Sequence, residues 1–249
     1  MYRNRLIKLR KNYFIVTILL LVITGVFLYV LFFLSKSRSF QFFGEIIPRV
    51  ETDKKIVALT FDDAPTPYSD EVLAILADKN VAVTFYVIGQ NMEKYPEQGK
   101  NIVQFGHELG NHSYSHQRFL LKPLSFIETE IEETNQLIRE AGYEGEITFR
   151  PPYGKKLFAL PWYLSEHNVK TIMVDVEAET YMPKLETDGE KKEFLVQHTL
   201  EKTQPGSIIL LHPFCESCGA SRQAIGPIID GLRAKGYEFV TVAKLLQHK

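Results

Sequence analysis

Ile56-Val57-Ala58-Leu59-Thr60-Phe61-Asp62-Asp63-Ala64-Pro65 is an apolar run that stops abruptly at two adjacent carboxylates. The run from Ile56 to Phe61 is apolar on both faces, which reads as a short strand buried on both sides, as in a parallel sheet covered by helices. Neighbouring side chains on an extended chain point in different directions, so Asp62 and Asp63 can serve separate tasks at one site. A solvated acidic pair in a strand-to-loop turn is the plainer alternative at this point.

Downstream, short apolar runs alternate with amphipathic segments. Ser69 to Lys79 places Val72, Ile75, Leu76 and Lys79 at helical spacing and stops at Asn80. Val81 to Ile88 reads as a second strand, closed by Gly89. Ser125 and Glu128 stand in capping-box spacing ahead of a helix that ends at Gly142. Ile147 to Phe149, Thr171 to Val174, Ser207 to Leu211 and Tyr237 to Val242 read as further strands. Helical patterns fit Ala159 to Asn168, Asp188 to Lys202 and Arg222 to Lys235, the last ending at Gly236.

This alternation predicts an α/β fold with a mostly parallel sheet, either a barrel or an open doubly wound sheet. The position of the polar residues favours the barrel. Asp62 and Asp63, Arg150, Asp175 and His212 each follow a different strand, and in a barrel the C-terminal ends of the strands converge on one face, where the active site is built.

The first 34 residues are a separate object. Arg3, Arg5, Lys8, Arg10 and Lys11 precede an uncharged apolar block from Tyr13 to Leu34. At a rise of about 1.5 Å per residue that block is long enough to cross a hydrocarbon core of about 30 Å. No small-residue cleavage site follows it, so an uncleaved anchor is expected, with the N-terminus in the cytoplasm and the rest facing outward. The expected organisation is a cytoplasmic segment 1–12, a transmembrane anchor 13–34, a linker 35–52 and one domain 53–249.

Seven of the 29 Lys and Arg precede position 45, so residues 45–249 carry 22 against all 30 Asp and Glu, a net charge near −8. That balance argues against nucleic acid as a partner. The two cysteines, Cys215 and Cys218, are compatible with a local disulfide in an outward-facing domain, although spacing alone does not establish one. Phe158 and Trp162 sit at helical spacing and are expected in the core.

In Gly110-Asn111-His112-Ser113-Tyr114-Ser115-His116, two histidines four apart on one side of a helical turn can reach one metal ion. Alone, the pair reads by default as two unrelated surface histidines. With Asp63 it makes a sensible set for a catalytic zinc, which takes three protein ligands and leaves one position open.

Thr60-Phe61-Asp62-Asp63-Ala64-Pro65, His112-Ser113-Tyr114-Ser115-His116, Arg150-Pro151-Pro152-Tyr153-Gly154, Asp175 and Leu211-His212 together resemble the ordered motifs of the NodB-type polysaccharide deacetylases, carbohydrate esterase family four. The resemblance spans roughly residues 55 to 245. It implies a distorted (β/α) barrel of about seven parallel strands, a divalent metal, most often zinc, and hydrolysis of N-acetyl groups from N-acetylhexosamines in a polymer. Residue by residue it implies Asp63, His112 and His116 as metal ligands and Asp62 as general base. It further implies the backbone N–H of Tyr153 as an oxyanion donor, His212 as general acid with Asp175 as its partner, and Arg150 as the residue that holds the base.

Two departures stand out. Ala64 occupies the place of a glycine, which matters only if the backbone there needs positive φ. The fourth motif lacks its second aspartate: Ala178 stands there, between Glu177 and Glu179, with Tyr181 as the nearest aromatic. The support of Arg150 and one wall of the sugar groove depend on that motif, and Glu177 and Glu179 are the acids that a changed loop path would offer instead. The expected function is a membrane-anchored, metal-dependent deacetylase of a cell-surface polysaccharide, with peptidoglycan the favoured substrate. A catalytically altered glycan-binding protein, or an amidohydrolase of another amide on the same fold, are the alternatives that turnover separates.

Overall fold

The computed structural model describes residues 2–249; the side chains of residues 2–9 and 11 lie outside the description, and with them those of Arg3, Arg5, Lys8 and Lys11. The chain begins with α1 (Tyr2–Ser35), β1 (Ile46–Ile47), β2 (Ile56–Ala64) and α2 (Ser69–Lys79). It continues through β3 (Thr84–Val87), α3 (Gly89–Lys94), α4 (Pro96–Gln104), β4 (Glu108–Asn111), α5 (Leu124–Glu140), α6 (Ala159–Glu166) and β5 (Thr171–Ile172). It closes with α7 (Asp188–Lys202), β6 (Ile208–Leu211), α8 (Gly219–Ala234), β7 (Glu238–Phe239) and α9 (Val242–Leu246).

β2 is the hub. It pairs in parallel with β3, with β6 and, at its first two residues, with β7, while β4 extends the sheet beyond β3. Strand alternation then splits its side chains between two cores. Val57, Leu59 and Phe61 pack with Leu73, Leu76 and Leu195 and with Ile225 and Ile229 of α8. Ile56 and Ala58 pack on the other side with Tyr86, Ile172, Val174, Ile208 and Leu210. Thr60 and Asp62 continue the row begun by Ile56 and Ala58, which is how the first carboxylate arrives at the buried end of the strand.

The expected α/β class with a mostly parallel sheet is present. Regular pairing divides into a five-stranded sheet and a two-stranded one made by β1 and β5. Single bridges, Asn111–Phe149, Phe149–Thr171 and Val176–Ile209, continue the pairing from β4 to β5 and from the segment after β5 to β6. The strand expected at Ile147 to Phe149 is reduced to such a bridge because Pro151 and Pro152, which have no N–H, follow at once.

Other expectations are corrected. The N-cap of α5 is Pro123 with no side-chain bond, so Ser125 and Glu128 form no capping box; that device is found at Thr187 and Glu190 on α7, with both of its bonds made. β4 was not expected, because Glu108-Leu109-Gly110-Asn111 carries one large apolar residue. Its Glu108 is nevertheless buried, accepting the Ala243 N–H at the start of α9. Phe158 and Trp162 are not in the core: they are 43% and 41% exposed. Cys215 and Cys218 are joined in a disulfide.

The stretch 35–52, expected to be a linker, is packed on the domain. Ser35, Ile47 and Val50 are buried, and β1 extends β5. The Lys156 main-chain N–H donates to Ser35 O at 2.9 Å, the Lys156 ammonium donates to Ser37 O, and Arg38 pairs with Glu177. α1 contains one segment, Asn12–Ser35, long and apolar enough to cross a membrane, and apart from its last residue, Ser35, it is not buried against the rest of the chain.

Candidate active site

The strand end at Asp62 and Asp63 is irregular. Register shifts between Asp62 and Ala64, and Asp63 has a φ of 72°, a left-handed conformation that aspartate tolerates better than most residues. Ala64 is the last residue of β2 and needs no positive φ, so the missing glycine is without consequence there. The twist separates the two acids. Asp62 is buried, and Asp63 faces the opening of a pocket of roughly 500 Å³.

Arg150 holds Asp62. Its Nη1 donates to Asp62 Oδ1 at 2.6 Å and to Thr60 Oγ1 at 2.9 Å, and its guanidinium lies 3.9 Å from the centroid of the Tyr86 ring. Tyr86 is anchored in turn by its hydroxyl to Thr148 Oγ1 at 2.9 Å. Support for Arg150 therefore comes from a hydroxyl and a ring, not from the fourth motif. Burial alone would raise the Asp62 carboxyl. The Arg150, His112 and His212 charges and the Arg150 hydrogen bond outweigh it, leaving the group below its ordinary value and ionised.

His112 and His116 are not on a helical turn. They lie on the loop after β4, which turns through positive φ at Ser113 (67°) and His116 (53°). Asn111 Oδ1 accepts from Ser113 N–H, and Ser113 Oγ accepts from His116 N–H, so the loop closes on itself. The wider clamp is Glu130 of α5, whose carboxylate accepts from the N–H groups of Tyr114 and Ser115 and from the Ser115 hydroxyl. Sequence reasoning missed Glu130, although a signal exists: it is an acid on the buried stripe Ile127, Ile131, Thr134, Ile138. Glu130→Ala leaves those donors unpaired and frees the loop that carries His116. Zinc affinity, measured by competition with a chromophoric chelator, should fall about tenfold or more, the scale of supporting interactions around ligands; unchanged affinity in a folded variant would refute the clamp.

Asp63 Oδ1 lies 3.7 Å from His112 Nε2 and 3.4 Å from His116 Nε2, and the three ligand atoms fall within 4.8 Å of one another. His112 Nδ1 is 2.7 Å from Arg150 O, which can only accept, so Nδ1 carries the hydrogen and Nε2 offers its lone pair to the cluster. Burial, reinforced by the His112 charge, holds the His116 imidazole below its ordinary pKa and favours the neutral ligand form. Asp63 Oδ1 is buried without a hydrogen-bond partner. An orphaned carboxylate oxygen facing two imidazole lone pairs fits a divalent metal.

His212 stands across the pocket from the cluster, and its partner is not Asp175. The Asp175 carboxylate accepts from Ser207 Oγ and Ile208 N–H, both at 2.8 Å, and so fastens the segment after β5 to β6. Glu179, on the short 3-10 turn Ala178–Tyr181, stands beside His212 instead. Its carboxylate bonds His212 Nδ1, accepts the His212 main-chain N–H and accepts the Ser221 hydroxyl. Burial lowers the His212 pKa, but the Glu179 hydrogen bond and the Asp62 and Glu179 charges more than reverse this, pushing it up to about 9. The imidazole is therefore a cation at neutral pH. Tyr153, at φ 57° on the turn Pro152–Gly154, packs against His116 with ring centroids 4.7 Å apart and the ring planes tilted by 51°.

Comparison with known proteins points to one family. Residues 49–172 match the family model described as polysaccharide deacetylase. A peptidoglycan-N-acetylglucosamine deacetylase of Bacillus cereus is 33% identical over 199 residues, covering 78% of this chain and 70% of that protein. The solved structure of the Bc1960 peptidoglycan N-acetylglucosamine deacetylase is 30% identical, with a TM-score of 0.71 over 79% of this chain and 90% of that one. BA3943 of Bacillus anthracis, described as a CE4 family pseudoenzyme, is 28% identical, with a TM-score of 0.70 over 80% of this chain and 68% of that one.

Proposed function

This chain belongs to the polysaccharide deacetylase family, and from that premise we propose that it removes N-acetyl groups from N-acetylhexosamine residues of peptidoglycan, releasing acetate with the help of a divalent metal, zinc. The observation that carries the reading is the orphaned Asp63 Oδ1 facing His112 and His116, with Asp62 on one flank and His212 on the other.

Asp63, His112 and His116 would hold the metal, which would supply Lewis acidity to the acetamide carbonyl and the attacking water. Asp62, kept ionised by Arg150, takes the proton from that water as the new C–O bond forms. The N–H of Tyr153, on its left-handed turn, is assigned to the developing oxyanion. His212, charged through its contact with Glu179, gives its proton to the nitrogen as the C–N bond breaks, so the products are acetate and a free amine.

The apolar segment Asn12–Ser35 is read as an anchor with its N-terminus inside, since basic residues dominate the side before it. A (β/α) barrel of seven strands completes the reading, with the single bridges at Phe149 and Val176 standing in for the thinnest staves. The likeness to a protein described as a pseudoenzyme keeps a glycan-binding role as the second reading. Against it, base, ligand set and acid are all present.

The test is acetate release by the full chain in detergent micelles with zinc, on purified peptidoglycan, chitin oligomers and poly-N-acetylglucosamine in parallel. Release from peptidoglycan that a chelator stops is the expected result. No release from any polymer by a folded, zinc-loaded protein would favour the binding role.

A further inference from the structure

One wall of the catalytic pocket is built from the end of the apolar helix. Lys36 and Arg38 line it together with Asp62, Asp63, His112 and His212. The apolar segment ends at Ser35, whose carbonyl is bonded to the Lys156 N–H inside the domain. Lys36 therefore lies one residue, about 1.5 Å, beyond the span, and Arg38 only a few ångströms further. The polar layer of a bilayer is about 5–7 Å thick on each side. These side chains, and the pocket they line, stand at the level of lipid phosphates.

The charge at that wall is unusual for this domain. Lys36 and Lys155 both line the pocket, and both ammonium groups lie over the Phe32 ring, at 5.1 and 4.7 Å from its centroid. No ion pair joins either to a carboxylate among the described residues, whereas Arg38 has Glu177. Two like charges held against one ring, neither with a carboxylate partner, make a place that a bound anion would complete. Burial, and after it the Lys36 and Arg118 charges, depresses the Lys155 pKa, as expected of a cation lacking a counter-charge. Aromatic side chains continue the helix end onto the domain surface: Phe40, Phe42, Phe158 and Trp162 are exposed, and Phe42 packs on Phe158 at 4.5 Å. Trp162 is of the amphipathic kind that settles at a membrane interface, and the three phenylalanines add apolar area beside it.

We propose that the substrate is an N-acetylhexosamine carried on a membrane lipid through a phosphate ester, its phosphate held between Lys36 and Lys155 while its acetamide reaches Asp63, His112 and His116. The inference rests on the deacetylase reading above and extends its substrate from the finished polymer to the lipid-linked precursor, whose sugar the site takes before it joins the glycan. A lipid phosphate is also the anion that geometry brings to this wall without extracting the substrate from the bilayer.

The experiment uses the full chain in zwitterionic nanodiscs with zinc. Acetate release is followed from a polyprenyl diphosphate-linked N-acetylhexosamine disaccharide in the same discs, from the soluble disaccharide 1-phosphate and from a neutral N-acetylglucosamine oligomer. The expected result is a kcat/KM on the lipid-linked sugar at least tenfold above that on the neutral oligomer, with the ratio collapsing tenfold or more in Lys36→Gln/Lys155→Gln. General damage to the fold would lower both rates and leave the ratio in place. A ratio near one, or a ratio that survives the double substitution, overturns the proposal; equal rates on the soluble phosphate and the lipid-linked sugar overturn the lipid assignment. Silence on all three by a zinc-loaded protein overturns the deacetylase reading itself, and the inference with it.

Discussion

Asp62→Asn is expected to lower acetate release about 10²–10⁴-fold, the usual worth of a positioned general base, while the purified full chain keeps its metal. Asparagine retains an oxygen at Oδ1, so the 2.6 Å bond from Arg150 Nη1 and the bond from Arg150 to Thr60 can both persist. What is lost is a proton acceptor, since an amide oxygen is far too weak a base to take the proton of the attacking water. His116→Ala should behave differently. It removes one of three ligand atoms clustered within 4.8 Å, so metal content itself should fall, and activity with it. Elemental analysis of both purified variants beside acetate assays separates the cases. Equal metal loss in the two would mean that Asp62 is a ligand, and the division of labour between neighbouring carboxylates would fail.

That the two carboxylates part was legible in the sequence because period-2 alternation is local: adjacent residues of a strand diverge, whatever the rest of the chain does. The resemblance, which pairs Asp175 with His212, does not hold at that position. Asp175 follows a strand, as the other polar residues do, but its side chain turns along the sheet to Ser207 and Ile208 of the neighbouring strand. The acid that His212 needs comes four residues later, from the turn at Glu179. Ala178, at the position where the family's aspartate was expected, is fully buried in the large core, so a carboxylate there would be desolvated with the site out of reach. Which residue of Glu177-Ala178-Glu179 turns inward is decided by backbone path, and periodicity carries no trace of it.

Long-range pairing was equally invisible. The two histidines were read as a helical pair because their spacing allows it, yet a loop clamped by Glu130 brings them together from a conformation that no helix contains. The stretch 35–52 looked like a linker because it is short of apolar periodicity. Its hold on the domain comes from contacts that leap along the chain, Ser35 and Ser37 to Lys156 and Arg38 to Glu177, and each partner alone reads as an ordinary surface residue.

Glu179→Gln should turn the enzyme's alkaline limit into a neutral one. His212 donates its proton only as an imidazolium, and its pKa of about 9 keeps it charged up to mildly alkaline pH. Among the influences that raise it, the Glu179 hydrogen bond is the largest, and the Glu179 charge adds to it; burial acts the other way. Glutamine removes the charge and weakens the bond, so the His212 value should return toward the ordinary imidazole range near 6.5. At pH 8 the protonated fraction would then drop about thirtyfold, and at pH 6 it would hardly change. The measurement is kcat/KM against pH for both proteins: an alkaline limb moved down by about two units, with near-normal rates at pH 6, is the expected signature. A merely structural role for Glu179 would depress the whole profile without moving the limb. Stability follows the same sign. Because the folded-state value is raised, the His212–Glu179 contact stabilises the protein fully below about pH 6.5 and loses that contribution as pH rises through about 9. Thermal unfolding of the wild type should therefore fall toward that of Glu179→Gln as pH is taken from 6 to 10, and two curves that stay parallel across this range would deny the pair its charge.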